Sequence, residues 1–486
     1  MSLSHRQRRI GLLLAVAAVW AVAIAARWTR LPEASALGDS LGPWLVGARG
    51  PWQTHPHAPP YGWLLAVPHA AILWGAQDLW SAFAAIRVID AVVAPILTLA
   101  VARHSRSTAR GLAAGLLMAL DPGLLDTATS GAEAYQAPVA IALVVLATTA
   151  GRARWGPWLA AGASCWAWMC HPLALVVSPL LLRIRWRQAP GAVLAGSAVM
   201  ASHLVYLLRA AGEASSDTPT LPLLALDAWV DQAGPLIVVF ALAGLGLWRQ
   251  RGMLLSIGLS LLLLVGAGTK LGYLRDHHLR LLSPAVAMGL AGVHPLASLP
   301  VLALTARWPD DPLDRPGGDR RPGSLGLLHK VSAELLAARD PSRPLVVDGV
   351  TDHGVLAVEP GGVMLDLWLR GVPASQLDVQ SSGDVAVILS GRRRHPWLDS
   401  PADHGLQRIG GRDTWSVYLG RPTQLQAWSE ADCADRAAAD RPLPRVGGAW
   451  DGLAIFHPER GAASVDWWLC SRDSVPAAMQ PAAQLK

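Results

Sequence analysis

Carboxylates, histidines and arginines at the edges of apolar segments are where this chain can do chemistry. Asp39 lies in Leu37-Gly38-Asp39-Ser40, shortly after the first apolar run, and Glu133 lies in Ser130-Gly131-Ala132-Glu133 between two later ones. His55, His57 and Tyr61 stand in Thr54-His55-Pro56-His57-Ala58-Pro59-Pro60-Tyr61. Arg87 opens one apolar segment, His171 interrupts another, and Arg275, His277, His278 and Arg280 precede a late one. A carboxylate can take a proton as general base or help hold a divalent cation, whereas guanidinium and imidazole can meet negative charge. One or two carboxylates with histidines suffice for a divalent ion, although no ligand set is legible here. Plainer readings stand beside these. Asp39 can be a helix cap or a surface acid, Glu133 a loop acid, and His55 and His57 simple loop residues. Arg87 can pair with Asp90 one turn along. The pair His277-His278, between two cations at the edge of an apolar segment, is better placed for a role.

The elements that must hold these residues are mostly apolar. Of 486 residues 52% are hydrophobic and 16% are charged, too apolar a mixture for one soluble globule. The apolar runs, such as 10–26, 252–268 and 281–306, all precede residue 307, and the remainder is rich in Asp, Arg and Pro. The expected division is a transmembrane domain over 1–306, a linker over 307–323 and a soluble α/β domain over 324–486. The net charge of +6 comes from short basic loops between apolar runs, so no nucleic-acid partner is expected. Cys165 and Cys170 sit in an apolar segment as small packing residues, and Cys433 and Cys470 can pair only in an oxidising compartment. The chain has no Asn, an excess of Arg over Lys and three Phe, which reads as GC-rich bacterial codon usage.

Arginine parity sets the topology. Arg6, Arg8, Arg9, Arg103, Arg106, Arg110, Arg152, Arg154, Arg183, Arg185, Arg187, Arg249 and Arg251 fall in short loops with no acid among them. The alternate loops hold Glu33, Asp39, Asp78, Asp121, Asp126, Glu133, Glu213, Asp217, Asp227, Asp231 and Asp276. If the basic set is cytoplasmic, the acidic set is outside, and the N-terminus is cytoplasmic. The run after Arg9 is a retained first span or a cleaved signal; in both cases the loop after Arg27 is outside. Between Arg9 and Arg103 the chain must then cross an even number of times, yet three apolar candidates lie there: 10–27, 61–75 and 82–102. The segment 61–75 is the shortest, comes directly after Pro59-Pro60 and contains Pro68 and His69, so it is expected to lie at the outer surface.

The segment 155–182 has arginines at both ends and must go out and return, turning at His171-Pro172. Each arm of about 14 residues spans roughly 21 Å, short of the ~30 Å hydrocarbon core, and places His171 inside the protein. An ionisable group there is costly and usually used. Further spans are expected at 109–120, 137–150, 190–210, 234–248 and 252–268. The run 281–306 is one crossing or a second hairpin turning at His294-Pro295, and charge does not decide between them. Past it, 324–339 has helical spacing, and strands are expected at 344–348, 384–390, 414–420 and 453–457. That domain shows no phosphate loop, nucleophile elbow or metal cluster, and on its own reads as a structural or partner-binding module.

The ordered motifs resemble a known family. Asp39 and then Pro59-Pro60-Tyr61 are similar to an acid followed by an interfacial helix opening with Pro-Pro-Leu-Tyr. Ala85-Ile86-Arg87-Val88 resembles an Ala-Leu-Arg string, and Leu120-Asp121-Pro122 with Ser130-Gly131-Ala132-Glu133 resembles a second outer loop. Met169-Cys170-His171-Pro172 stands where Thr-Lys is usual, and 275–284 resembles an Arg-Tyr-Leu-Leu-Pro opening of a late span. The family is the GT-C membrane glycosyltransferases, which include protein O-mannosyltransferases and lipid A aminoarabinose transferases. Asp39 stands without the second acid of many members, and His171 replaces the usual Lys.

The resemblance implies an α-helical multi-pass membrane protein of about 10–11 membrane segments with a small outer C-terminal α/β domain. It implies a bacterial cytoplasmic membrane location and transfer of a sugar from a polyprenyl-phosphate donor to an extracytoplasmic glycan, lipid or protein. Asp39 would act as base or divalent-metal ligand, with Glu133 as a second acid. Arg87, His171, Arg275, His277, His278 and Arg280 would meet the donor phosphate, with His57 and Tyr61 also contacting substrate. A flippase of lipid-linked sugars and a non-catalytic membrane scaffold are the competing readings. A transporter would be expected to show internal repeats, and none is found.

Overall fold

The computed structural model describes residues 5–34, 36, 41, 44, 48, 69–121, 132–150, 153–170, 174, 178–201, 242–248, 251–270, 280–297, 323–343, 345–350, 360–373, 376–377, 384–390, 406–412 and 415–420. The chain divides into two compact units. One contains Met1–Arg30, Pro59–Tyr61 and Ile86–Asp310; the other contains Leu31–Ala58, Gly62–Ala85 and Asp311–Lys486.

The first unit is helical. Helix α1 (His5–Thr29) has no acid in its first turn and carries Arg27 in its last. The next helical stretch, Leu79–Ser105, is two helices, α2 (Leu79–Asp90), whose residues up to Ala85 belong to the second unit, and α3 (Val93–Ser105). Pro95 explains the break: it has no N–H for the Ala91 carbonyl, which accepts from Ala94 N–H instead at 3.3 Å. Among the described residues two stretches are long and apolar enough to cross a membrane, Arg9–Thr29 (21 residues) and Leu79–Ser105 (27 residues). Shorter apolar helices come after them, including Thr108–Leu120, Pro190–Ala201 and Ser283–Val293.

Helices α3 and α4 (Thr108–Leu120) form a tight hairpin. Arg106 takes a left-handed conformation (φ 54°) to end α3, and the Ser107 hydroxyl caps α4 by accepting from Arg110 N–H at 3.4 Å. Gly111 and Gly115 allow the close approach. A Cβ on Gly111 would stand 2.5 Å from the Thr98 carbonyl oxygen, and one on Gly115 would strike the Thr98 hydroxyl and come within 2.9 Å of Val19 Cγ1 on α1. Small residues let helices pack this closely without relying on a hydrophobic drive.

Helix α5 (Ala132–Thr148) packs on α6 (Trp155–Cys170), which stops directly before His171-Pro172. Proline disfavours helical backbone in the residue before it, which accounts for the stop. The chain then doubles back. Leu181, at the end of α7 (Ser178–Leu181), and Ile184 pack against Ala147 and Ala160. Helix α8 (Pro190–Ala201) continues along α6, with Ala192 against Ala161 and the Cys165 thiol 3.7 Å from the Gly196 carbonyl.

The Arg103 guanidinium lies 5.5 Å over the Trp155 ring. The α3–α4 turn, the start of α6 and the stretch after α7 therefore share one end of the helix set, and that end carries Arg103, Arg154, Arg183 and Arg185. At the opposite end of α4, the Ser283 hydroxyl donates to Asp121 Oδ2 at 3.3 Å, fixing the start of α10 (Ser283–Val293). Helix α9 (Arg251–Lys270) precedes it. The helical stretch 242–247 meets α10 glycine to glycine: a Cβ on Gly289 would lie 2.6 Å from the Ala243 carbonyl oxygen, and one on Gly292 would lie 2.8 Å from that of Gly246. Helix α10 ends at His294-Pro295, and the turn Pro295–Ala297 packs along α4.

The second unit joins the segment after α1 to the C-terminal part of the chain. Its sheet contains β1 (Leu345–Val350), β2 (Asp384–Ser390), β3 (Leu406–Arg412) and β4 (Trp415–Gly420) in the order β1-β2-β4-β3. Strands β1 and β2 are parallel, as a crossover through α12 (Pro360–Leu369) allows, and the other pairs are antiparallel. Helix α11 (Leu325–Ala338) opens on Ser324, whose hydroxyl accepts from Leu327 N–H at 3.2 Å. Strand β3 is not among the expected strands, because Leu406–Arg412 carries two glycines and alternates poorly. The expected strand 453–457 lies outside the described residues.

Ala34 O accepts from Leu325 N–H and Ala36 N–H donates to Gly323 O, both at 2.7 Å. Trp44, 1% exposed, stacks on Phe83 at 5.2 Å and meets the His69 ring edge-on at 4.5 Å. A Cβ on Gly362 in α12 would lie 2.7 Å from both Leu41 Cδ1 and Leu328 Cδ1. Leu41, Trp44, Leu73, Leu79 and Phe83 are thus buried in the same unit as Leu325, Leu328, Val363 and Leu367. Of the segment 61–75, residues 69–73 are helical, with His69, Ala70 and Leu73 buried, Trp74 exposed and 61–68 outside the described residues.

Candidate functional site

Of the residues singled out in the sequence, the structure describes Arg87 fully. It sits in α2, 4% exposed, with Nη1 3.7 Å from Asp90 Oδ2. The plain pairing is therefore in place, but it is not the whole environment. Arg27, also 4% exposed and donating Nη1–H to the Ala23 carbonyl at 3.2 Å, acts on the same carboxylate. Two guanidinium groups and one carboxylate are thus buried together among apolar helices. In the sequence Arg27 only marks the end of the first apolar run. The signal that identifies it is its position inside α1 rather than after it.

Glu133 is the second residue of α5, and Arg280 opens the turn Arg280–Leu282 that leads into α10. Only their backbone placement is described. Asp39, His57, Tyr61, His171, Arg275, His277 and His278 lie outside the described residues, as do Cys433 and Cys470. Among the described residues no group of three or more His, Cys, Asp or Glu stands close enough to hold a metal ion, and Asp39, the expected metal ligand, is not one of them.

The second unit contains a polar network that no sequence motif announces. Asp366 is 0% exposed in α12, where Met364, Leu365 and Leu367 surround it in sequence. Its Oδ1 accepts from Leu79 N–H at 2.6 Å and its Oδ2 from Arg370 Nε at 2.9 Å. Arg370 Nη2 also lies 2.7 Å from His329 Nδ1 and 3.7 Å from Asp78 Oδ2. Arginine only donates, so His329 accepts through Nδ1. The Trp80 ring covers His329 at 5.5 Å. The sequence signal is a carboxylate inside an apolar helix, since a buried charge needs a partner; nothing local names a partner 287 residues away.

No protein-family model, curated protein or solved structure matches the chain.

Proposed function

We propose that the chain is a multi-pass membrane glycosyltransferase that moves a sugar from a polyprenyl-phosphate donor to an extracytoplasmic acceptor. The observation that carries this reading is the buried group of Arg27, Arg87 and Asp90. Ionisable side chains among apolar helices are costly in a membrane and are kept for a use. The clustering of basic residues at one end of the helices supports a cytoplasmic assignment for that end. Arg27, in the last turn of α1, is then near the outer surface, where the donor phosphate lies.

In the transfer the bond between the anomeric carbon and the phosphate oxygen breaks, and negative charge grows on the departing phosphate. Arg87 and Arg27 would stabilise that charge, with His171, Arg275, His277, His278 and Arg280 as further cations. The acceptor hydroxyl attacks the anomeric carbon and gives its proton to Asp39. A divalent ion, if Asp39 holds one, would lower the pKa of the hydroxyl.

The test is transfer by purified protein in detergent, supplied with labelled polyprenyl-phosphate hexoses and pentoses together with an extract of cell-envelope glycans, lipids and proteins as acceptors. Release of free polyprenyl phosphate is expected, and Asp39→Asn should lower it by about 10²–10⁴-fold. A flippase leaves every donor intact, and that outcome would contradict the proposal. Undiminished release by Asp39→Asn would remove Asp39 from the mechanism and leave Glu133 as the acid to test.

A further inference from the structure

We propose that Asp90 sets the charge of the donor site, so that a phosphate with one negative charge is held and one with two is let go. This rests on the reading of Arg27 and Arg87 as contacts to the donor phosphate.

Arg27 stands in the last turn of α1, Arg87 in the last turn of α2, and Asp90 is the final residue of α2. All three belong to the first unit. Arg87 and Asp90, three residues apart, share one face of their helix. Each of the three is at most 4% exposed, and Ala23, Ile86 and Ala91 are buried as well.

The Asp90 carboxylate approaches Arg87 Nη1 only to 3.7 Å, and neither of its oxygens accepts a hydrogen bond from the described residues. A carboxylate that anchors an arginine typically makes two short, parallel hydrogen bonds to the guanidinium. Asp90 therefore contributes charge rather than grip. In a site that only had to attract phosphate, a buried carboxylate would be a disadvantage, because it repels the ligand through a medium of low dielectric. Its presence points to a second requirement.

Two guanidinium groups and one carboxylate leave a single net positive charge. The donor is a phosphodiester with a single negative charge. When its bond to the anomeric carbon breaks, the electron pair stays on the phosphate oxygen and the acceptor's proton goes to the base. The product is then a monoester whose second ionisation lies near pH ~6, so it carries about two negative charges at neutral pH. The site balances the donor and leaves the product with one charge too many, which favours release. An amide in place of the carboxylate would match the product instead. Asp90 forgoes some stabilisation of the charge growing in the transition state, but frees the site for the next turnover.

The experiment measures binding of two probes with the same polyprenyl chain to the full-length protein in detergent. One is polyprenyl phosphate, a dianion at about pH 8, and the other is its methyl diester, a monoanion. Coulomb energy scales with ligand charge, so Asp90→Asn should tighten the diester about tenfold and the monoester about a hundredfold. Dissociation of the monoester should slow accordingly. Asp90→Glu keeps the charge and should leave the ratio of the two affinities as in wild type. Equal gains for the two probes, or weaker binding of both by Asp90→Asn, would overturn the proposal. If Asp90→Asn does not purify as a monodisperse protein, Arg27→Gln is compared with the pair Arg27→Gln and Asp90→Asn. That comparison removes the same carboxylate beside a single guanidinium and carries the same expectation. Arg87→Gln should weaken both probes. If it binds both normally, or if wild type binds neither, the donor-site reading itself falls.

Discussion

Gly115 shows how little room single side chains have in the helical unit. The Thr98 hydroxyl, bonded to the Ala94 carbonyl at 2.9 Å, occupies the place a Cβ on Gly115 would take. Gly115→Ala should therefore destabilise by about 1–3 kcal/mol despite the better helix propensity of alanine, because the backbone must move. Adding Thr98→Ala should recover part of that loss, whereas Ala94 O at 3.1 Å and Val19 Cγ1 at 2.9 Å keep it from being complete. Thermal unfolding of the three variants in detergent checks both statements. A Gly115→Ala protein as stable as wild type would mean that α1, α3 and α4 are not packed this closely.

Among the elements, the turn between α3 and α4 depends on a conformation that its residue does not favour. Arg106 is the one non-glycine residue with positive φ among those described. Left-handed backbone costs a non-glycine residue about 1–2 kcal/mol, so Arg106→Gly should raise unfolding stability by up to about 1 kcal/mol, measured by the same melts. A fall in stability would show that the side chain contributes more than its backbone costs.

Much at this scale is legible in the sequence. The apolar runs locate α4, α6 and α9 within a few residues, and the His171-Pro172 break marks the end of α6. Strand β3 escapes such a reading because its glycines and arginines hide the alternation of a half-buried strand. The Asp366–Leu79 bond is beyond reach, since no local pattern encodes a contact between distant segments. Candidate residues fare unevenly. Arg87 can be placed by its position in an apolar helix, but the role of Asp39, His57 and Tyr61, which lie outside the described residues, rests on motif order alone.

At the scale of the whole molecule, the grouping of Leu31–Ala58 and Gly62–Ala85 with Asp311–Lys486 gives the topology proposal its physical basis. Segments that share a buried core and backbone hydrogen bonds must lie on one side of a bilayer, so the C-terminal part would be outside with the Asp39 loop. The proposed chemistry depends on that sidedness, because the donor phosphate and Asp39 have to meet on the same face. Single cysteines in a cysteine-free background, replacing exposed Trp74, exposed Ser342 and exposed His104 in the basic turn, test it directly. A membrane-impermeant maleimide added to intact spheroplasts should label positions 74 and 342, and should label position 104 only after permeabilisation. Labelling of position 342 only after permeabilisation, together with 104, would contradict the shared outer face and the mechanism built on it.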